Sequence, residues 1–298
     1  MSNSTNPHFK KTAVIGVGLI GGSLAVELRS EGLTDEIVGI GRGRANLETA
    51  LSLGVVDSVT TDVAQGVEGA DLVVVSVPVL KIADVIRMAA PVLTPPCIIM
   101  DVGSVKKAVI DAVEPLVPEG VRFVPTHPIA GTEDSGAGAA FKGLFKDRLC
   151  VLTPTDNTDK EALEAVRSVW RLAGSNIVEM DAVTHDRIFA AVSHLPHMIA
   201  YTLVNTVAAA GGDETDMVRF SAGGFRDFTR IASSSPEMWT DICVMNSEFI
   251  VEMMDNFSSR LEVLKRLISR GDLDGIKEEF RKAKKVRDSL ISEGWDEE

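Results

Sequence analysis

The sequence predicts an α/β fold, in which a doubly wound, largely parallel sheet is followed by an all-α domain. Three observations predict it. From about residue 10 to residue 180, short runs rich in Val and Ile alternate with segments of helical period. A glycine-rich turn, Gly16-Val17-Gly18-Leu19-Ile20-Gly21, stands between the first such run and the first helical segment. Beyond residue 181 the strand pattern stops, and apolar residues recur at spacings of three and four.

The elements follow in order. KTAVIGV reads as a strand, LIGGSLAVELRS as a helix, EIVGI as the next strand and ANLETALSLG as a helix. DLVVVSV, CIIMDV, VRFVP, LCVLTPT and NIVEM are further strands. Near-continuous apolar runs of this length suit strands covered on both faces. DAVTHDRIFAAVSHLPHMIAYTLVNTVAAAGG then reads as one long apolar helix ending at Gly211-Gly212. From Pro236, the apolar series Trp239, Ile242, Met245, Phe249, Met253, Phe257, Leu261, Leu264 and Ile268 marks a long amphipathic helix. A last, charged helix runs from Asp272 to about Glu293. The division expected is a dinucleotide-binding domain over 10–180 and a helical substrate and dimerisation domain over 181–298. The helical part is too long and thin to bury its own apolar faces, which predicts a homodimer built from it.

Composition narrows the function classes. A chain of 298 residues is more than one core usually holds. The formal net charge of -13 argues against a nucleic-acid partner, which needs clustered Lys and Arg. It leaves room for a small anionic substrate. Cys97, Cys150 and Cys243 are widely spaced and form no CxxC, so neither a disulfide framework nor a cysteine zinc site is expected, and a cytoplasmic location fits. The polar N-terminal MSNSTNPHFKK is not a signal peptide. The most apolar stretch, Ile188 to Ala210, carries Ser193, His194, His197 and Asn205, so it reads as a buried helix and not a membrane span.

In GxGxxG, Gly16 makes the tight turn, Gly18 lets backbone approach a pyrophosphate, and Gly21 lets helix and strand pack closely. The helix start at Leu19 and Ile20 supplies free N–H groups for the anion. Ser76 and Pro78, after the strand DLVVVSV, are expected among the cofactor-binding residues. The acidic residue that would bind a ribose 2′-hydroxyl is missing, and the place reads Gly41-Arg42-Gly43-Arg44. The cofactor is therefore NAD or NADP, with Arg42 and Arg44 favouring NADP through a 2′-phosphate.

Several polar stretches lie where core packing does not need them. Ser104, in Asp101-Val102-Gly103-Ser104-Val105-Lys106, follows a strand, and loops at the carboxyl ends of strands line the ligand crevice. It can bond a substrate hydroxyl, orient a base, or cap the next helix. His127 precedes Pro128, which favours an extended backbone, and it also lies at a carboxyl end, where an imidazole suits a general base. The HxxH spacing of His194 and His197 has no third ligand at a recognisable distance, so no metal is expected, and Ser193 and His197 read better as binding an anion or carbonyl. Arg226 and Arg230, with Asp227 between them, can hold a carboxylate in a fork, or simply start a helix.

Together GVGLIGGS, DVGSVK, HPIAGTEDSG, VSHLPH and GGFRDFTRIA followed by Trp239 resemble the prephenate/arogenate dehydrogenase family of tyrosine biosynthesis, in consistent order from about residue 12 to residue 270. The resemblance implies a Rossmann domain joined to an interlocking helical dimerisation domain. It implies NAD(P)+-dependent oxidative decarboxylation of prephenate to 4-hydroxyphenylpyruvate, or of arogenate to tyrosine. By the same resemblance His127 accepts the proton of the ring hydroxyl, and Ser104 bonds that hydroxyl or steadies His127. Arg230 would pair with a substrate carboxylate, and His197, Ser193 and Thr132 would help bind substrate. Glu133 would sit at the cleft mouth as a gating or ionic-network residue, and Asp227 would support the arginine and histidine network. No ACT-type regulatory domain or fused chorismate mutase is expected. A more distant alternative is another Rossmann oxidoreductase of the β-hydroxyacid dehydrogenase type, which would use a lysine, Lys106 or Lys107. A non-catalytic dinucleotide-sensing dimer is a third.

Overall fold

The computed structural model describes residues 6–132, 134–211 and 217–292. The sheet half runs β1 Phe9–Ile15, α1 Leu19–Ser30, β2 Thr34–Ile40, α2 Arg44–Ser52, β3 Ser58–Thr60, α3 Val63–Val67, β4 Leu72–Val75, α4 Ile82–Ala89, β5 Ile98–Asp101, α5 Lys107–Val113, β6 Arg122–Pro128, β7 Leu149–Leu152, α6 Lys160–Leu172 and β8 Asn176–Glu179. The strands form one sheet in the order β3-β2-β1-β4-β5-β6-β7-β8. Neighbours are parallel except β6 with β7. This is the expected Rossmann-type sheet, with one antiparallel insertion. The three-residue β3 is too short to stand out as an apolar run.

The central strands are buried on both faces, with every residue of β4 and β5 inside. Val14, Leu72, Val74, Met100 and Val124 share a core with Leu24 and Leu28 of α1 and Val166, Val169 and Trp170 of α6. Each such side chain contributes about 1.5–3 kcal/mol relative to exposure. The strand register sets the site. Ile15 pairs with Val75, Val75 with Asp101, and Asp101 with Pro125. The loops after β1, β4 and β5 and the end of β6 therefore lie along one edge, in that order.

The helical half comprises α7 Ala182–Phe189, a π-turn at Ala190–His194, α8 Leu195–Ala210, α9 Gly223–Thr229, α10 Pro236–Met245, α11 Ser247–Arg270 and α12 Leu273–Ser292. The single helix expected from residue 181 is thus interrupted by a wider turn. Pro196 has no N–H to give the carbonyl one turn back, and the π-turn absorbs that break. The second expected helix divides at Asn246, whose backbone leaves the helical region (φ -115°, ψ 30°). The chain forms two compact units, Met1–Ser247 and Glu248–Glu298. Within the first unit, α7 is tied to the sheet half by polar contacts described below. In the second unit α11 and α12 leave Leu261, Ile268, Leu273, Phe280 and Val286 exposed. Among the described residues no helix is long and apolar enough to cross a membrane.

Candidate active site

A cavity of about 1130 Å³ opens along the carboxyl edge, walled by Gly16, Gly18, Gly41, Arg42, Asn46, Asp62, Ser76, Pro78, Lys81 and Gly136, among others. The three loop glycines are needed for different reasons. Gly16 has φ +95°, and a Cβ there would lie 2.0 Å from the Ser76 carbonyl oxygen. At Gly21 a Cβ would stand 2.3 Å from the Gly16 carbonyl oxygen, so that glycine serves helix–loop packing. At Gly18 a Cβ would meet nothing within 4 Å, so the missing side chain leaves space for a ligand. Leu19 is buried and Ile20 packs on the same core, so what they offer a ligand is backbone N–H at the first turn of α1. These features fit a dinucleotide pyrophosphate.

Asn46 was not singled out from the sequence, because it reads there as an ordinary helix residue. Its amide donates to the Val17 carbonyl at 2.7 Å and accepts from the Ala137 N–H at 2.8 Å, joining the glycine loop to the segment beyond His127. Arg42 lies on the cavity wall, whereas Arg44 lies in an adjoining depression with Thr60, Asp62 and Gln65. Asp62 is engaged in capping α3 through the Gln65 N–H. Neither arginine forms an ion pair among the described residues.

His127 is the penultimate residue of β6, about three strand spacings, or roughly 14 Å, along the edge from the glycine loop. It is only 9% exposed. Its Nδ1 lies 2.8 Å from Nε2 of His185, and no residue among those described bonds its Nε2. Burial, reinforced by His185, Lys106 and His194, holds its pKa well below the usual imidazole value, so it is neutral at pH 7. Phe189 packs edge-on against it at 4.8 Å.

The DVGSVK loop is organised by charge. Lys106 is fully buried, bonded to the Asp101 carboxylate and, at 2.6 Å, to the Thr126 carbonyl next to His127. Lys106 is thus committed to structure, and exposed Lys107 pairs with Asp111, so neither lysine of the lysine-dependent alternative is held beside His127 as a free group. Asp186 accepts from the Lys106 and Lys107 N–H groups at 2.8 and 2.9 Å. That carboxylate, and not Ser104, caps α5. Ser104 is half-buried, and its hydroxyl has no partner among the described residues. Nor does it steady His127, whose Nδ1 is taken by His185.

The π-turn brings His194 and His197 to the same region. His197 stacks on Trp239 at 3.7 Å and donates from Nδ1 to the Ser193 carbonyl at 2.9 Å. Burial lowers its pKa. His194, also buried, has its pKa pushed down to about 4. The Asn246 amide donates to the Asp186 carbonyl at 2.9 Å and to His194 Nδ1 at 3.1 Å. No trio of metal-ligating side chains converges among the described residues. Arg226, Asp227 and Arg230 are exposed on α9 and the turn after it, which packs on α8. Thr132 is exposed, and its hydroxyl accepts the Asp134 N–H. Glu133 lies outside the described residues.

A glycine-loop cavity and a neutral, buried imidazole on the same sheet edge define a dinucleotide-dependent dehydrogenase. Known proteins carry this further. Residues 24–179 match the model of the prephenate dehydrogenase nucleotide-binding domain, and 181–282 that of its dimerization domain. The chain belongs to the prephenate dehydrogenase family. It is 38% identical over 285 residues to the cyclohexadienyl dehydrogenase of Zymomonas mobilis, covering 95% of this chain and 96% of that one. To the prephenate dehydrogenase of Bacillus subtilis it is 34% identical over 276 residues, 92% of this chain and 74% of that one. The crystal structure of prephenate dehydrogenase from A. aeolicus with hydroxyphenyl propionate and NAD+ superposes with TM-score 0.90 at 34% identity, covering 97% of this chain and all of that one.

Proposed function

We propose that the chain catalyses oxidative decarboxylation of prephenate to 4-hydroxyphenylpyruvate with NAD(P)+. The observation that carries this reading is the neutral His127, its Nε2 unpartnered among the described residues, on the edge shared with the dinucleotide cavity. When bound, the nicotinamide supplies a hydride acceptor for the ring carbinol. His127 takes the hydroxyl proton at Nε2, and Ser104, whose hydroxyl no described residue bonds, bonds the same oxygen. Loss of carbon dioxide then makes the ring aromatic, so the ring is its own electron sink and no metal is required. Arg230 pairs with a substrate carboxylate, His197, Ser193 and Thr132 help bind the substrate, Asp227 supports the arginine and histidine network, and Glu133 belongs to the gating or ionic network that the family resemblance implies. Assaying the purified protein with prephenate and each cofactor, following reduced-cofactor absorbance, tests this; silence with both cofactors overturns it.

Arogenate is a second reading, which His197 supports. Its Nδ1–H is committed to a carbonyl, so the neutral ring presents Nε2 as an acceptor, suited to an ammonium group. Turnover of arogenate that falls in His197→Phe, with prephenate turnover spared, would support it. With either substrate NADP is the preferred cofactor, because Arg42 faces the cavity with no ion pair among the described residues and no carboxylate directly follows β2. Arg42→Ala should then raise KM for NADP+ and leave that for NAD+ nearly unchanged. Residues 181–298 act as the substrate and dimerisation half, and the exposed apolar residues of α11 and α12 supply a homodimer contact. Three free thiols fit a cytoplasmic location.

A further inference from the structure

Behind His127 lies a string of polar atoms. His127 Nδ1 is 2.8 Å from His185 Nε2, and His185 Nδ1 is 2.7 Å from Asp186 Oδ1. The protonation of the string follows from its far end. Both Asp186 oxygens accept backbone N–H groups, Oδ1 from Lys106 and Oδ2 from Lys107. With both oxygens engaged as acceptors, the carboxylate faces His185 as an acceptor too. His185 must therefore donate from Nδ1, which leaves a lone pair on its Nε2. His127 must then donate from Nδ1, which leaves its Nε2 lone pair open. Phe189 fixes both ring planes, 4.8 Å from His127 and 4.5 Å from His185.

We propose that His185 and Asp186 are positioning residues that lock His127 in the tautomer with Nε2 as the base. The proposal rests on the reading of His127 as proton acceptor. During turnover the substrate O–H bond breaks, a new N–H bond forms at His127 Nε2, and the hydride leaves with its electron pair to the nicotinamide. The imidazolium that results points its Nδ1–H at the His185 lone pair, and His185 points its own Nδ1–H at a carboxylate. The developing charge thus faces an ordered row of dipoles ending on an anion. The proton later leaves Nε2 for water, and the string returns to its starting state. Because Asp186 also caps α5, a single carboxylate sets both the base and the loop that carries Ser104.

The test compares His185→Leu with His185→Gln. Leucine removes the acceptor facing His127, whereas the glutamine carbonyl reaches the place of Nε2 and can restore it. In His185→Leu, kcat should fall by roughly 100-fold or more, with KM for substrate and cofactor little changed, and His185→Gln should recover most of the loss. Nitrogen-15 NMR of the His127 ring in the substrate-free protein should show Nδ1 protonated in wild type and a mixture of tautomers in His185→Leu. This readout needs no turnover, so it separates failure of the string from failure of the proposed reaction. Full kcat in His185→Leu, equal losses in both variants, or a wild-type ring protonated at Nε2 would each overturn the proposal.

Discussion

Replacing His127 by Asn removes Nε2 and with it the proposed base. The asparagine amide can still place an N–H near the old Nδ1 position, toward His185 Nε2, so the buried neighbour keeps a partner. The substitution thus isolates the lost proton acceptor from the lost contact. A positioned general base contributes typically 10²–10⁴-fold, or about 3–5 kcal/mol of transition-state stabilisation. The cofactor cavity does not include His127 among its walls, and the glycine loop is roughly 14 Å away along the sheet edge. Cofactor affinity should therefore be nearly unchanged. The assay pairs steady-state rates with a fluorescence titration of NAD(P)H and a thermal melt. A variant that keeps wild-type kcat, or that loses cofactor binding in proportion to rate, would refute the reasoning.

Other outcomes follow from the same geometry. Gly16→Ala meets a carbonyl at 2.0 Å and requires φ +95°, so it should lose both stability and cofactor binding. Gly18→Ala, with open space at its Cβ, should fold normally and lose cofactor affinity alone; melting curves beside binding titrations separate the two. Lys106→Met leaves the buried Asp101 carboxylate without its cation and should cost about 3–5 kcal/mol of stability, read as a lower urea midpoint. His127, His185, His194 and His197 all have depressed pKa values in the fold. The unfolded chain therefore binds more protons below about pH 6.5, and stability should be full above that value and fall as the pH drops. His194, shifted to about 4, contributes about 3 kcal/mol of that loss by itself, and urea midpoints measured down the pH scale would detect it.

The sheet was legible because its signals are local. Strands such as LVVV and IIMD are buried whole, and burial on both faces demands unbroken apolar runs. The glycine loop was legible because φ +95° and contact with a neighbouring carbonyl admit only glycine at Gly16. His127 could be placed at a carboxyl end because Pro128 and the strand before it mark that position. His185, Asp186, Asn46 and Asn246 gave no comparable sign, since each sits in a segment that reads as plain helix. Their partners lie far off in sequence, as with Asp186 and Lys106, and hydrogen bonds across such distances leave no period to read. The π-turn at Ala190–His194 and the break at Asn246 belong to the same class, because a proline's missing donor or a buried amide has an effect only once neighbours surround it. Local pattern alone thus determined the α/β sheet, the dinucleotide loop and the candidate base. The tertiary structure decided which groups touch that base, that Lys106 is sequestered, and that Asp186 caps α5, because burial and pairing between remote segments exist only in the folded chain.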